Sequence, residues 1–289
     1  MRIAVIGADG QLGQDIVPAL KSAGHEVICL VQEQIEVADK MSVDRALQAA
    51  RPNAVINTAA YHKVDEVEDN PDRAFAVNAT GAANVAQACS RLDAVCVFIS
   101  TDYVFSGSKG TAYVETDAVD PVNVYGVSKA AGEMLVRYLC LRHFIVRLSG
   151  LYGVAGSAGK GGNFVETMLR LAREGKAVKV VSDQTLTPTP TVAAAKQIAA
   201  LLATDAYGTY HATCQGECTW YDFAAEIFKA AGLSPSLAPQ TTKESGARAK
   251  RPGYSVLENA ALKRLGIDVM PDWRDGVRGY VLRRLNHSG

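Results

Sequence analysis

A three-layer α/β architecture, with a doubly wound parallel sheet followed by a smaller lobe, is predicted by three features of this 289-residue chain. Short Val- and Ile-rich runs alternate with longer amphipathic segments over the first half, the pattern of βαβ units whose strands are buried on both faces. The first run leads directly into Gly7-Ala8-Asp9-Gly10-Gln11-Leu12-Gly13, a glycine-punctuated turn before a helix. After about residue 150 the alternation loosens into Gly/Ser-rich (153–162) and Pro/Thr-rich (185–191) stretches. The expected division is residues 1–150 as one domain and 151–289 mainly as a second lobe, some segments of which can return to the first.

Taken in order, strands are expected at 2–6, 26–30, 54–57, 94–100 and 144–148. Helices are expected between them at 12–22, 42–50, 71–91 and 128–142, several with the i, i+3, i+4, i+7 apolar spacing of a helix lying on a sheet. In the last, Ala131, Met134, Leu135, Tyr138 and Leu139 are expected to share a buried face. Long irregular stretches in the second half read as functional loops of a lobe that closes over a ligand. The segment 239–253, with Lys243, Arg248, Lys250 and Arg251, reads either as a basic lid or as a plain solvated loop.

Composition narrows the function classes. Thirty Lys+Arg balance thirty Asp+Glu, leaving no net field to attract nucleic acid or an anionic membrane. With 48% hydrophobic and 21% charged residues the chain can bury a sizeable core. No signal-like segment and no membrane-length apolar run is present, so a cytoplasmic protein is expected. Six dispersed cysteines read as reduced thiols, and the close pair Cys214/Cys218 lacks the partners of a zinc site.

Gly7, Gly10 and Gly13 give the spacing GxxGxxG. Between a strand and a helix, that turn lets backbone approach a pyrophosphate and presents it to the positive end of a helix. A Rossmann-type dinucleotide domain follows, with NAD(P) as the cofactor. The acidic clamp for a ribose 2′-hydroxyl is absent, since the second strand ends Leu30-Val31-Gln32; this leans slightly towards NADPH and leaves NADH open. Asp39 is read either as a hydrogen-bond acceptor for the adenine amino group or as a helix N-cap.

Tyr125 and Lys129, four apart, emerge on one helix face. A free phenol with pKa about 10 exchanges protons poorly near neutrality, and a neighbouring ammonium favours its ionised form. Ser100 and Thr101 lie at the carboxyl end of a buried strand, the edge where open α/β sheets bind ligands. Thr101 beside Tyr125 would give two donors for an oxygen that becomes negative during hydride transfer. His62 and His211 are read as structural.

The strings Gly7-x-x-Gly10-x-x-Gly13, Ser100-Thr101-Asp102-Tyr103-Val104-Phe105, Tyr125-x-x-x-Lys129 and Asn57-x-Ala59-Ala60-Tyr61-x-x-Val64-Asp65 together resemble the extended short-chain dehydrogenase/reductases. More narrowly, with Asn163-Phe164, Asp183-Gln184, Pro188-Thr189 and Arg251-Pro252-x-x-Ser255, the chain is similar to the dTDP-4-dehydrorhamnose reductase family. The resemblance implies Thr101, Tyr125 and Lys129 as the catalytic set. It implies Gly10, Gln11 and Leu12 at the pyrophosphate, Asp39 at the adenosine, Ala59, Ala60 and Tyr61 along the middle of the cofactor, and Thr101, Asp102 and Arg251 facing a nucleotide sugar. The implied reaction reduces the C4 keto group of dTDP-4-dehydro-6-deoxy-L-mannose with NAD(P)H, giving dTDP-L-rhamnose, and the implied assembly allows a homodimer.

Departures from the family pattern bear on the sugar. Ser149-Gly150-Leu151-Tyr152 lacks the Trp that the family often carries against the sugar, so a flat apolar wall is expected to be missing. Leu186 replaces a glycine, and Val31 a common acid. Asp15 is retained from a family metal site, but 190–193 offers no partner acids, so no metal is expected. A related nucleotide-sugar ketoreductase or epimerase is the alternative enzyme. A non-catalytic subunit resembling the regulatory subunit of methionine adenosyltransferase is the alternative class; loss of Tyr125 or Lys129 would favour it, and both are present.

Overall fold

The computed structural model describes residues 1–155 and 162–286, so most of the predicted Gly/Ser-rich loop lies outside the described residues. The first half runs β1 (Arg2–Ile6), α1 (Gly13–Ser22), β2 (Glu26–Leu30), α2 (Lys40–Ala50) and β3 (Ala54–Asn57). It continues through α3 (Val64–Asp69), α4 (Pro71–Phe75), a π-helical stretch (Ala76–Thr80), α5 (Gly81–Arg91), β4 (Val95–Thr101), α6 (Val124–Leu139) and β5 (His143–Leu148). The second half adds β6 (Leu151–Tyr152), α7 (Phe164–Arg173), β7 (Val178–Val181), β8 (Thr185–Leu186), β9 (Thr189–Pro190) and α8 (Thr191–Leu202). It ends with β10 (Gly208–His211), β11 (Cys218–Thr219), α9 (Trp220–Ala230), β12 (Leu237–Gln240), α10 (Ala260–Leu265) and α11 (Trp273–Asn286).

Six strands in the order β10-β5-β4-β3-β1-β2 form one parallel sheet. Because side chains alternate along a strand, Ile3 and Val5 enter one core with α1 and α8 residues, while Ala4 and Ile6 enter the other with α2 and α5. Both faces are dry, which explains the continuous apolar runs. The chain reverses its direction of strand addition at β1, with β2 on one side and β3 on the other, and this creates the crevice at their carboxyl ends. A third cluster, built around Tyr152, Phe223, Trp273 and Tyr280, forms the core of the second lobe. From the second half, α8 packs on α1 and β10 extends the main sheet.

Two expectations need correction. The segment 71–91 is not one helix, because a π-helical stretch separates α4 from α5. In α6 the expected apolar face is not the buried one: Met134 is 55% and Tyr138 85% exposed, whereas Ser128, Lys129, Gly132, Glu133 and Val136 are buried. The polar members of that face are satisfied internally. Glu133 receives a hydrogen bond from Ser100 and two from Arg147, at 2.9 and 2.7 Å. Hydrophobic periodicity cannot register a helix whose core face carries paired charges.

Candidate active site

The turn after β1 forms as its glycines require. Gly7 has φ +75°, and a Cβ there would lie 2.5 Å from the Thr58 hydroxyl. Gly13 sits behind the turn, where a Cβ would come 2.2 Å from the Gly7 carbonyl oxygen, so its role is close strand-to-helix packing rather than contact with the cleft. No side chain caps the first turn of α1. Gly10, Gln11 and Leu12, immediately before it, line a cleft of about 750 Å³ that follows the carboxyl edge of the sheet.

Gly7, Gly10, Gln11, Leu12, Ala59, Ala60 and Tyr61 line this cleft with Thr101, Asp102, Tyr125 and Lys129. Gln11 also ties the lobes together, donating to the Leu151 carbonyl at 3.2 Å and accepting from Asn163 at 3.2 Å. At the far end the wall is Gln32, Ile35, Glu36 and Val37. Asp39 is not part of it: its carboxylate accepts from the Met41 amide at 2.9 Å and caps α2. At this end of the cleft the acid is Glu36, which the sequence analysis did not single out.

Thr101 ends β4, and its oxygen accepts from the Tyr103 amide at 3.2 Å. The Thr101 hydroxyl donates to the Asp102 carboxylate at 3.0 Å, and Thr101 and Tyr125 line the same cleft. Burial pushes the phenol well above its ordinary value, only partly offset by Thr101, so Tyr125 stays a neutral proton donor. Lys129 is buried one turn further along α6; its ammonium donates to the Ile99 carbonyl at 2.6 Å and lies 4.0 Å from the centre of the Phe98 ring. Burial pushes it down to about 7, against the pull of Glu133. The Lys129 ammonium is thus directed at the Ile99 carbonyl and not at the Tyr125 phenol.

Two residues expected to face the sugar do something else. Arg251 forms a two-point ion pair with Asp65, at 3.2 and 2.9 Å, and does not line the cleft. The guanidinium holds the Asp65 carboxyl below its usual range. With Arg248 on Asp69 at 2.7 Å, the pair straps the segment before Ser255 onto α3. Asp102 lines the cleft but is 3% exposed, its carboxylate engaged by Thr101, Ser149 and Ser255.

At the sugar end, Phe164, Trp220, Gln184 and Leu186 come from the second lobe. Trp220 escaped the sequence reading, although the capping box Thr219-x-x-Asp222 marks the start of its helix. Leu186, Phe164 and Trp220 are the apolar side chains that line this end of the cleft. A Cβ on Gly150 would lie 2.7 Å from Leu186 Cδ1, so Leu186 packs directly against Gly150 at this wall. His62 lines the cleft as well, while His211 is buried between Arg147 and the Glu258 carbonyl. Burial and the Arg147 charge push His211 down to about 3, which keeps it neutral.

A glycine cradle opening onto a hydroxyl, a phenol and an ammonium at one sheet edge is the architecture of the extended short-chain dehydrogenase/reductases. A family model described as RmlD substrate binding domain matches residues 1–285. The spore coat polysaccharide biosynthesis protein SpsK of Bacillus subtilis is 40% identical over 283 residues, 98% of each chain. A dTDP-4-dehydrorhamnose reductase of Streptomyces griseus is 40% identical over 280 residues, 94% of this chain and 90% of the relative. Among solved structures, dTDP-4-dehydrorhamnose reductase from Bacillus anthracis in complex with NADP superposes with TM-score 0.93 at 38% identity, covering 98% of this chain and 99% of that one. The chain belongs to the dTDP-4-dehydrorhamnose reductase family.

Proposed function

We propose that the chain uses NADPH to reduce the C4 keto group of dTDP-4-dehydro-6-deoxy-L-mannose, giving dTDP-L-rhamnose. The observation that carries this reading is the meeting, in one cleft, of the glycine turn with Thr101, Tyr125 and Lys129. The Streptomyces relative and the NADP-bound Bacillus structure support both substrate and cofactor.

The residues present fit a dinucleotide, since a Cβ at Gly7 or Gly10 would crowd a turn that is open to the cleft. In this reading Gly10, Gln11 and Leu12 hold the pyrophosphate, Glu36 and Val37 flank the adenine, and Ala59, Ala60 and Tyr61 support the middle of the cofactor. Bound NADPH supplies the hydride. Thr101 and Tyr125 flank the keto oxygen, and Tyr125, kept neutral by burial, donates its proton as negative charge develops there. Lys129 orients the nicotinamide ribose and neutralises the phenolate left behind. Leu186, Phe164 and Trp220 exclude water from the reacting centre. The reading includes a cytoplasmic homodimer, whose mass light scattering reports.

A second reading, reduction of a differently configured nucleotide keto sugar, is favoured by Gly150 and Leu186. The test follows absorbance at the reduced-nicotinamide band with the 4-keto sugar nucleotide, using NADPH and NADH in parallel. Oxidation that is faster with NADPH, with dTDP-L-rhamnose as product, is expected. No oxidation by folded protein that binds either cofactor overturns the proposal, and faster oxidation with a differently configured nucleotide keto sugar than with this one selects the second reading.

A further inference from the structure

Gln11 stands in the glycine turn of the first half, and its side-chain amide reaches two segments of the second half that line the sugar end of the cleft. Its Nε2 donates to the Leu151 carbonyl at 3.2 Å, and its Oε1 accepts from Asn163 Nδ2 at 3.2 Å. We propose that Gln11 is a positioning residue: its side chain transmits occupancy of the cofactor turn to the sugar-end wall, so that a bound dinucleotide tightens binding of the nucleotide sugar in the same cleft. This rests on the reduction proposed above.

The direction of the amide is fixed from the second lobe inward. Asn163 caps α7 with its Oδ1, which accepts from the Glu166 amide at 3.0 Å. Its Nδ2 is therefore turned the other way, donating to the Gly153 carbonyl at 2.7 Å and to Gln11 Oε1. With Oε1 so engaged, Gln11 Nε2 is the end left for the Leu151 carbonyl. A glutamate would set a carboxylate against that carbonyl, and a methionine of similar length makes neither bond. The stem is held as well: a Cβ on Gly153 would lie 2.9 Å from Gln11 Cγ, so this glycine leaves the room that the stem occupies.

Each contact leads to a wall of the sugar end. Leu151 follows Gly150, against which Leu186 packs, and all three line the cleft. Asn163 precedes Phe164, whose ring centre lies 4.7 Å from that of Trp220 and is stacked on Phe223 at 5.3 Å. Phe164 and Trp220 line the cleft, and Phe223 belongs to the core of the second lobe. On the cofactor side, Gln11 lies between Gly10 and Leu12, which line the cleft with it. A dinucleotide seated on that backbone restricts the Gln11 side chain to the arrangement that meets Leu151 and Asn163. The nucleotide sugar then meets walls that are already ordered, and binding it orders less of the chain. By linkage, the sugar nucleotide tightens the dinucleotide by the same factor.

The experiment uses the full chain with NADP⁺ and dTDP as probes, a pair that does not turn over. Titration calorimetry gives the dTDP dissociation constant with and without saturating NADP⁺, and the NADP⁺ constant with and without dTDP. In the unmodified protein each ligand is expected to tighten the other about tenfold. Gln11→Met and, as a second variant, Asn163→Ser are each expected to bring that factor below about twofold, and the double variant to bring it no lower, because both remove one shared link. Serine caps a helix as asparagine does, so α7 keeps its N-cap while the contact with Gln11 is lost. A factor near one in the unmodified protein overturns the proposal. So does a factor kept in either variant while NADP⁺ affinity falls equally with and without dTDP, which leaves Gln11 to the cofactor alone. If the unmodified protein binds NADP⁺ but not dTDP, the nucleotide-sugar reading itself fails, and the role given to Gln11 falls with it.

Discussion

Burial keeps the Tyr125 phenol in the neutral form that its chemistry requires, whereas at Lys129 it works against the cation and has a stability cost. A neutral phenol is the form needed to protonate an alkoxide, and Tyr125→Phe is expected to lower kcat by about 10²–10⁴-fold while leaving NADPH affinity unchanged in a fluorescence titration. Lys129 is held down near 7 by burial, so between there and its ordinary value near 10.5 the unfolded chain binds a proton that the folded chain does not. Stability contributed at this position therefore rises with pH over that window and is lowest below it. Lys129→Met is expected to raise the melting temperature of the ligand-free protein by a few degrees at or below neutral pH and to abolish turnover. An unchanged or lower melting temperature there contradicts the cost assigned to the lysine. Thr101, Tyr125 and Lys129 were legible because hydroxyl, phenol and ammonium recur at a strand end and at i, i+4. Asp39 and Arg251 were not, since a carboxylate that caps a helix and a guanidinium that straps a loop look the same in sequence as ones that bind a ligand.

Elements carry the next level of the account, and α6 is the clearest case. Its buried face holds Lys129 and Glu133, and Glu133 is paired with Arg147 of β5 at 2.7 Å with both side chains about 2% exposed. Removing one partner strands a charge in the core, so Arg147→Met is expected to destabilise the fold by about 3–5 kcal/mol in denaturant titrations, with the double variant Arg147→Met/Glu133→Leu recovering much of that loss. Apolar periodicity placed the buried face of α6 on Met134 and Tyr138 because it counts hydrophobicity and cannot see such a pair. The short strand β8 has an outsized effect for its length: Leu186 packs directly against Gly150. Leu186→Ala is expected to raise KM for the sugar nucleotide about tenfold with KM for NADPH unchanged, measured by initial rates. Equal changes in both constants would contradict the placement of Leu186 at the sugar end.

At the scale of the molecule, the first-half strands were legible because a parallel sheet covered on both faces needs uninterrupted Val/Ile runs, and the glycine turn marks where its crevice opens. The second half was less legible. Strand β10 adds to the sheet from far along the chain, and Trp220 reaches the cleft from a helix whose apolar pattern describes its core face alone. Thus the cofactor end of the cleft could be read from local strings, whereas the sugar end depends on long-range packing of Gly150 with Leu186 and of Ser255 with Asp102.

The central claim is that these parts deliver hydride and proton to opposite ends of one carbonyl bond. The most direct test is a single turnover with NADPH carrying deuterium at the transferred C4 position, followed by proton NMR of the sugar nucleotide. The account predicts deuterium at C4 of the product rhamnose, one label per cofactor oxidised. Cofactor oxidised without label in the sugar, or label at any other carbon, would contradict it.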